Sequence, residues 1–280
     1  MESFLKIVIR RFKKNRLAML GAVVVIFLYL VAVFAPFIAT HDPNATNTIM
    51  RLKPPSRENY FGTDRLGRDV FSRVVYGSRI SLSVGLVAVG IAVTIGTLIG
   101  SVSGYYGGTV DNVLMRFTDI MMSIPTLFLV ITIVAMFGGN IWYTMLAIGL
   151  TGWTGVARLV RGSFLSLKEQ EFAEACRAIG ASDFRIMFRH LLPNAMAPII
   201  VAATLGVASA ILTETSLSYL GLGVQPPTPT WGNILREGYQ YIKYAWWYGT
   251  FPGIAIFITM MAFNMLGDGL RDALDPRLKE

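Results

Sequence analysis

Residues 17–39 read LAMLGAVVVIFLYLVAVFAPFIA, with no charged side chain between Leu17 and Ala39. At about 1.5 Å of rise per residue such a run spans roughly 34 Å, enough to cross a hydrocarbon core of about 30 Å. Lys6, Arg10, Arg11, Lys13, Lys14 and Arg16 stand just before it. A cleavable secretory leader has the same basic start, but its apolar stretch is only about 7–15 residues long. The length therefore predicts an uncleaved transmembrane helix. The rest of the chain agrees: 54% of the 280 residues are hydrophobic and only 15% charged, against about 25% charged in a soluble domain.

Working outward, further apolar spans run over Ile80–Gly104, Ile120–Phe137, Ile141–Leu159, Ala195–Thr213 and Tyr248–Leu266. The expected fold is an all-α integral membrane protein with six transmembrane helices, and an even number puts both termini on one side. With that side inside, sixteen of the 25 Lys and Arg fall there, and seven of the other nine crowd into the single loop Thr40–Arg79. The positive-inside rule then predicts both termini in the cytoplasm. We divide the chain into 1–79, holding the basic N-terminus, first helix and outer loop, and a five-helix core over 80–280.

The composition also excludes several functions. Cys176 is the single cysteine, His41 and His190 lie far apart, and neither HExxH nor GxxxxGK[ST] occurs. A zinc protease, a metal site or a P-loop ATPase on this chain is not expected. The net charge of +8 fits membrane orientation in so apolar a chain, not nucleic-acid binding. Ala88, Ala92, Gly96, Gly100 and Gly104 recur every four residues, one stripe on which another helix can pack closely; a gating hinge is the alternative. Pro125, after Ser123-Ile124, predicts a local kink. The outer segments Thr40–Arg79 and Ser216–Trp247 are charged and aromatic, with Pro54-Pro55 in the first and Pro226, Pro227 and Pro229 in the second.

The inside stretch 161–193 reads RGSFLSLKEQEFAEACRAIGASDFRIMFRHLLP. It is long for a simple connector. Phe172, Ala175 and Ile179 predict a helix over Gln170–Ile179, Gly180 interrupts it, and Ser182 or Asp183 can cap a second short helix carrying Phe184, Met187 and Phe188. Pro193 opens the fifth span. A hairpin lying on lipid is one possibility. Glu169, Glu171, Glu174 and Asp183 would then face anionic headgroups, so a protein partner fits better.

Glu174-Ala175-Cys176, then Gly180, then Leu192-Pro193 resembles the EAA loop of ABC importer permeases: E-A-A, three residues, G, nine residues, I-x-L-P. Cys176 replaces the second alanine and His190 the isoleucine. Phe61-Gly62-Thr63-Asp64, Gly67-Arg68-Asp69, Ser72-Arg73, Gly77 and Arg79 resemble the outer segment of dipeptide, oligopeptide and nickel permeases; Leu17–Ala39 resembles that family's extra N-terminal helix, and Leu266–Asp272 through Pro276-Arg277 its usual ending. The likeness covers essentially the whole chain and is closest to the C-type subunit.

The resemblance implies a transmembrane permease subunit, not itself an enzyme, in a bacterial or archaeal cytoplasmic membrane. It implies a homologous second permease subunit, two ATP-binding subunits that hold ATP and Mg, an extracytoplasmic solute-binding protein and a peptide substrate; nickel is the alternative cargo. Glu171, Glu174, Ala175, Cys176, Gly180, Asp183, Leu192 and Pro193 are the expected ATPase-coupling residues, Glu174 fixing the hairpin by polar contacts or forming a solvated face. Asp64, Arg68, Asp69, Arg73 and Trp231 are candidates for docking the binding protein, an intraloop ion pair being the alternative for Arg68. Ser123, Pro125 and Glu214 are candidates for the translocation path. A gradient-driven secondary transporter is the competing class, though no internal repeat is evident.

Overall fold

Asn15 separates the basic start from the first apolar helix. Its backbone is extended (φ −84°, ψ 102°) and its side chain accepts the Ala18 N–H, so α1 (Phe4–Lys14) stops and α2 (Arg16–Val33) starts afresh. The computed structural model describes residues 4–274, and every regular element among them is helical. The Pro276-Arg277 part of the ending noted above lies outside the described residues. α2 ends before its apolar run does: the chain breaks at Phe34, and one further turn, α3 (Ala35–Ile38), carries Pro36 near its start. Asp69 caps α4 (Val70–Tyr106) by accepting the Ser72 N–H at 2.8 Å. Its 37 residues extend about 55 Å, so both ends outrun a bilayer core.

Pro125 breaks a helix where only a kink is expected. Ile124 before it is extended (φ −97°, ψ 124°), as clash with a following proline ring demands. α5 (Gly108–Ser123) and α6 (Thr126–Phe137) consequently meet at 81°. α7 (Ile141–Leu167) begins at Asn140, whose side chain accepts the Trp142 N–H. Then come α8 (Glu171–Ala178), α9 (Asp183–Arg185), a π-helical stretch Ile186–Leu191, α10 (Leu192–Leu220), α11 (Trp231–Tyr239) and α12 (Trp246–Leu274). α9, the π-helical stretch and α10 form one rod, Asp183–Leu220. The predicted second short helix is thus no separate element but the start of the fifth span. Pro193 lacks an N–H, and the wider turn ahead of it absorbs the missing bond.

Among the described residues α2, α4, the 183–220 rod and α12 are long and apolar enough to cross a membrane, and the α5–α6 pair adds one if counted as a single broken span. The sixth expected span lies in α7. Its 27 residues reach about 40 Å, but Thr, Gly and Arg dilute its apolar character.

The small-residue stripe of α4 packs against α7. Gly149 faces Ala88, Gly152 faces Ala92, and Val156, Ala157 and Phe164 approach Gly96, Gly100 and Gly104. A Cβ at Gly96 would sit 2.6 Å from that of Val156, and one at Gly104 2.6 Å from that of Phe164. Close packing occupies the stripe. Because the numbers rise together, the two helices run parallel, and α5–α6 must carry the chain back between them. α10 runs antiparallel to α4, with Gly85 against Val207 and Ile211 and Val89 against Gly206; α2 does the same on α12, with Ala18 against Gly269 and Gly21 against Met265. Val25 and Ala32 of α2 share one buried cluster with residues of α4, α10 and α12. One end of the bundle gathers residues 39–69, the α6–α7 link and α11. The other gathers α1, the α4–α5 turn and the 168–191 hairpin.

Candidate functional site

The hairpin is built around its own turn. α8 ends in a two-bond left-handed cap: Ala181 N–H donates to Cys176 O at 3.0 Å and Gly180 N–H to Arg177 O at 2.9 Å. This cap needs positive φ at the residue after the helix, and Gly180 supplies it at +75°. Nothing lies within 4 Å of where its Cβ would be, so the glycine is there for its backbone alone.

The two arms bury one face and leave the other open. Ala173, Ile186, Met187 and Leu191 form a cluster with Val160 and Phe164 of α7 and with Ala195 and Ile199 of α10; Cys176, Leu192 and Phe188 pack on its edge. Within the E-A-A segment Cys176 is therefore the inward position, joined by the preceding Ala173, while Glu174 and Ala175 point out. Ala173, which the motif does not include, is the fully buried member. Glu174 and Glu171 are exposed and take no hydrogen bond or ion pair among the described residues; the expected fixing role for Glu174 gives way to an open face. Beside them Ile179 is 83% exposed and Phe184 71%. Phe184 stacks toward Phe188 at 4.7 Å between ring centres, and with Arg185, Arg189 and Pro193 these rings line an open groove.

Polar bonds tie the hairpin to the bundle. Asp183 accepts the Tyr105 hydroxyl at 2.7 Å in place of its expected capping bond. Lys168 donates to the Tyr105 carbonyl at 3.3 Å, and Arg177 to the Lys168 carbonyl at 3.1 Å. Next to them Arg161 grips Asp111 with two bonds of 2.5 and 2.6 Å, and Arg158 pairs with Asp119 at 2.5 Å. Sequence reasoning missed this α5–α7 ladder. Spacing gives no signal for it: Asp111 and Asp119 stand eight residues apart on α5, Arg158 and Arg161 only three apart on α7.

At the opposite end the docking candidates require correction. Asp64, Arg68, Asp69, Arg73 and Trp231 are all nearly or fully buried, none more than 4% exposed, so they present no face to a partner. Arg68 bonds Asp64 at 2.5 Å and Glu237 at 3.0 Å, and Glu237 also accepts the Tyr248 hydroxyl. Burial by itself lowers the Arg68 pKa, but the charges of Asp64 and Glu237 outweigh it and raise the value. Arg73 donates to the Pro43 carbonyl at 3.2 Å and stands 3.7 Å from Asp64. Asp69 holds the α4 cap and accepts from Asn59 at 2.8 Å. Trp231 donates to the Val74 carbonyl at 3.0 Å. These groups bolt the 39–69 loop to α4, α11 and α12. The surface open at this end is a groove of about 810 Å³ that includes His41, Asp42, Tyr76, Arg79 and Thr228.

Between α4, α6, α7 and α10 lies a cavity of about 140 Å³ whose lining includes Ala88, Ala92, Thr126, Gly152, Ser209 and Thr213, with no charged group among the residues around it. Ser123, Pro125 and Glu214 are not part of it. The first two are exposed at the break; Glu214 is fully buried and accepts the Ser218 hydroxyl at 2.6 Å. Their immediate neighbours Thr126 and Thr213 line the cavity instead.

Residues 96–280 match the family model described as the inner membrane component of binding-protein-dependent transport systems, and residues 3–55 match that of the N-terminal transmembrane domain of oligopeptide transport permease C. The chain is 46% identical over 270 residues to a dipeptide transport system permease protein of Alkalihalophilus pseudofirmus, covering 96% of this chain and 89% of that one. It is 44% identical to an oligopeptide transport system permease protein of Bacillus subtilis, covering 96% and 88%. It is 46% identical over 271 residues to a glutathione transport system permease protein of Escherichia coli, covering 96% and 89%. In fold it resembles a chain of the MetNI methionine ABC transporter solved in inward-facing form, with a TM-score of 0.58 and 22% identity over 73% of this chain and 97% of that one.

Proposed function

The chain belongs to the family of binding-protein-dependent transport system inner membrane components, and from that premise we propose that it is one half of an ATP-driven importer of di- or oligopeptides. Its partners are a homologous permease, two ATP-binding subunits that hold ATP and Mg, and an extracytoplasmic binding protein. The peptide assignment is supported by relatives at 43–46% identity named for dipeptide, oligopeptide and glutathione transport. In this reading α7 and the broken α5–α6 pair count as crossings, giving six. The parallel pairing of α4 with α7 supports that count, as does the surplus of cations at the hairpin end, which we place with both termini in the cytoplasm.

The observation that carries the mechanism is the hairpin's division into a buried inner face and an open outer one. The inner face is packed on α7 and α10, so a push on Glu171, Glu174, Ile179 and Phe184 moves those helices as one body. The ATP-binding subunits press there when they close on nucleotide, and their different affinities for the two arrangements drive alternating access. The α4–α6–α7–α10 cavity is the stretch of the path nearest this body.

Gly180→Val tests it. Left-handed backbone costs a non-glycine residue about 1–2 kcal/mol or more, and the open surroundings mean the strain stays in the turn. Membrane insertion is expected to be normal, with loss of ATP-binding subunits on co-purification and of substrate-stimulated ATP hydrolysis. Normal values of both would remove the coupling role.

A further inference from the structure

We infer that the exposed basic face of α1 is a binding site for the phosphate headgroups of anionic phospholipid. Lys6, Ile9, Arg10, Lys13 and Lys14 recur at helical spacing, are all exposed, and line one shallow concavity of about 440 Å³. The opposite face, with Ile7, Val8 and Phe12, is half-buried, and Phe12 lies against Gly269 of α12. No carboxylate occurs between Phe4 and Arg16, and Lys6, Lys13 and Lys14 enter no ion pair with any described residue. Asp272 stands 3.5 Å from the Asn15 amide, at the junction with α2 and off the basic face.

Two features select lipid over an acidic protein. α1 ends two residues before α2, an apolar span, begins. The extended Asn15 stops it from continuing that span, so the cations are tethered in the headgroup layer. The face also sets Ile9, 46% exposed, among the cations, which places an apolar contact where an acyl chain emerges from a phosphate. Each Lys or Arg near an anionic surface contributes roughly fivefold in partition. The site goes beyond the transport role proposed above and stands or falls separately from it.

The test uses the full-length chain in neutral detergent, with acyl-tagged phosphatidylglycerol and phosphatidylcholine titrated by fluorescence anisotropy. Wild type should prefer the anionic lipid. Lys6→Gln/Lys13→Gln/Lys14→Gln should cut that preference at least tenfold, and the corresponding triple arginine variant should keep it. Wild-type preference should also fade between about 0.1 and 1 M salt, as the screening length drops from about 10 to 3 Å; this arm needs no variant to fold. A preference that survives the glutamine variant or is indifferent to salt overturns the assignment. So does an unchanged lipid preference accompanied by loss of co-purifying ATP-binding subunits, which would make the face a protein dock.

Discussion

Arg68 shows how far a charged loop residue can be from the surface. Its partner Asp64 is four residues away and visible in the sequence, but Glu237, which completes the pair, is distant in the chain and only the fold brings it within 3.0 Å. A charge-rich segment reads as exposed because unpaired charges rarely bury; pairing across the fold removes that cost. Breaking a buried pair by deleting one partner costs about 3–5 kcal/mol. Arg68→Ala should therefore lower the yield and melting temperature of the purified protein, whereas Arg65→Ala, on the exposed rim of the same cluster, should change them little. Trp231→Ala empties a fully buried site and strands the Val74 carbonyl, a loss of about 3–5 kcal/mol. If either buried variant is as stable as wild type and only weakens binding-protein association, the docking role returns. The turn at Gly180 was legible from sequence because its requirement is local; the inward packing of Ala173 was not, since only the contact with α7 decides which face is inside.

At the scale of single helices, the four-residue stripe of α4 was legible because small residues at that spacing have one geometric consequence, and the structure fills it with α7. Gly96→Val should force the helices apart, since its Cβ would meet Val156 and the Trp153 carbonyl at 2.6 and 2.7 Å; overpacking of this kind costs about 1–3 kcal/mol. Gly155→Ala in α7 has open space around it and serves as a neutral control, and thermal unfolding of both in detergent reads the difference. The α5–α7 ladder was not legible, because its carboxylates and arginines sit some forty to fifty residues apart. A bidentate pair such as Asp111–Arg161, with the arginine about one third exposed, contributes on the order of 1–2 kcal/mol. Asp111→Asn should lose that much and loosen α5 from α7. Uptake per ATP hydrolysed should fall, and the reciprocal swap Asp111→Arg/Arg161→Asp should restore part of it. A swap no better than the single change would deny the pair its linking role.

Over the whole molecule, composition and charge placement were enough for an all-helical membrane protein with its cations concentrated at one end. They could not show that the chain bends by 81° between α5 and α6 at Pro125 or that α7, the least apolar long helix, lies beside α4. Both depend on contacts that hydropathy does not see. Orientation is open to direct measurement. In a Cys176→Ala background, Ser56→Cys should react with an impermeant thiol reagent in intact cells, and Ser182→Cys only after the membrane is opened. Ser56 and Ser182 are both exposed, so the reverse pattern would place the hairpin out of reach of any cytoplasmic ATPase.

The parallel pairing of α4 with α7 also bears on how the chain is made. The two stripes that meet are about 60 residues apart, and ribosomes add roughly 5–20 residues per second. For about 3–12 s after its own synthesis, α4 waits in the bilayer with its glycine face against lipid or insertion machinery. Meanwhile α5 and α6, the bent pair, must already have turned the chain around. The assembly order is thereby fixed: the bent pair is laid down before its straight neighbours can zip together, and a nascent chain stalled there would display an unmated glycine surface to quality-control proteases.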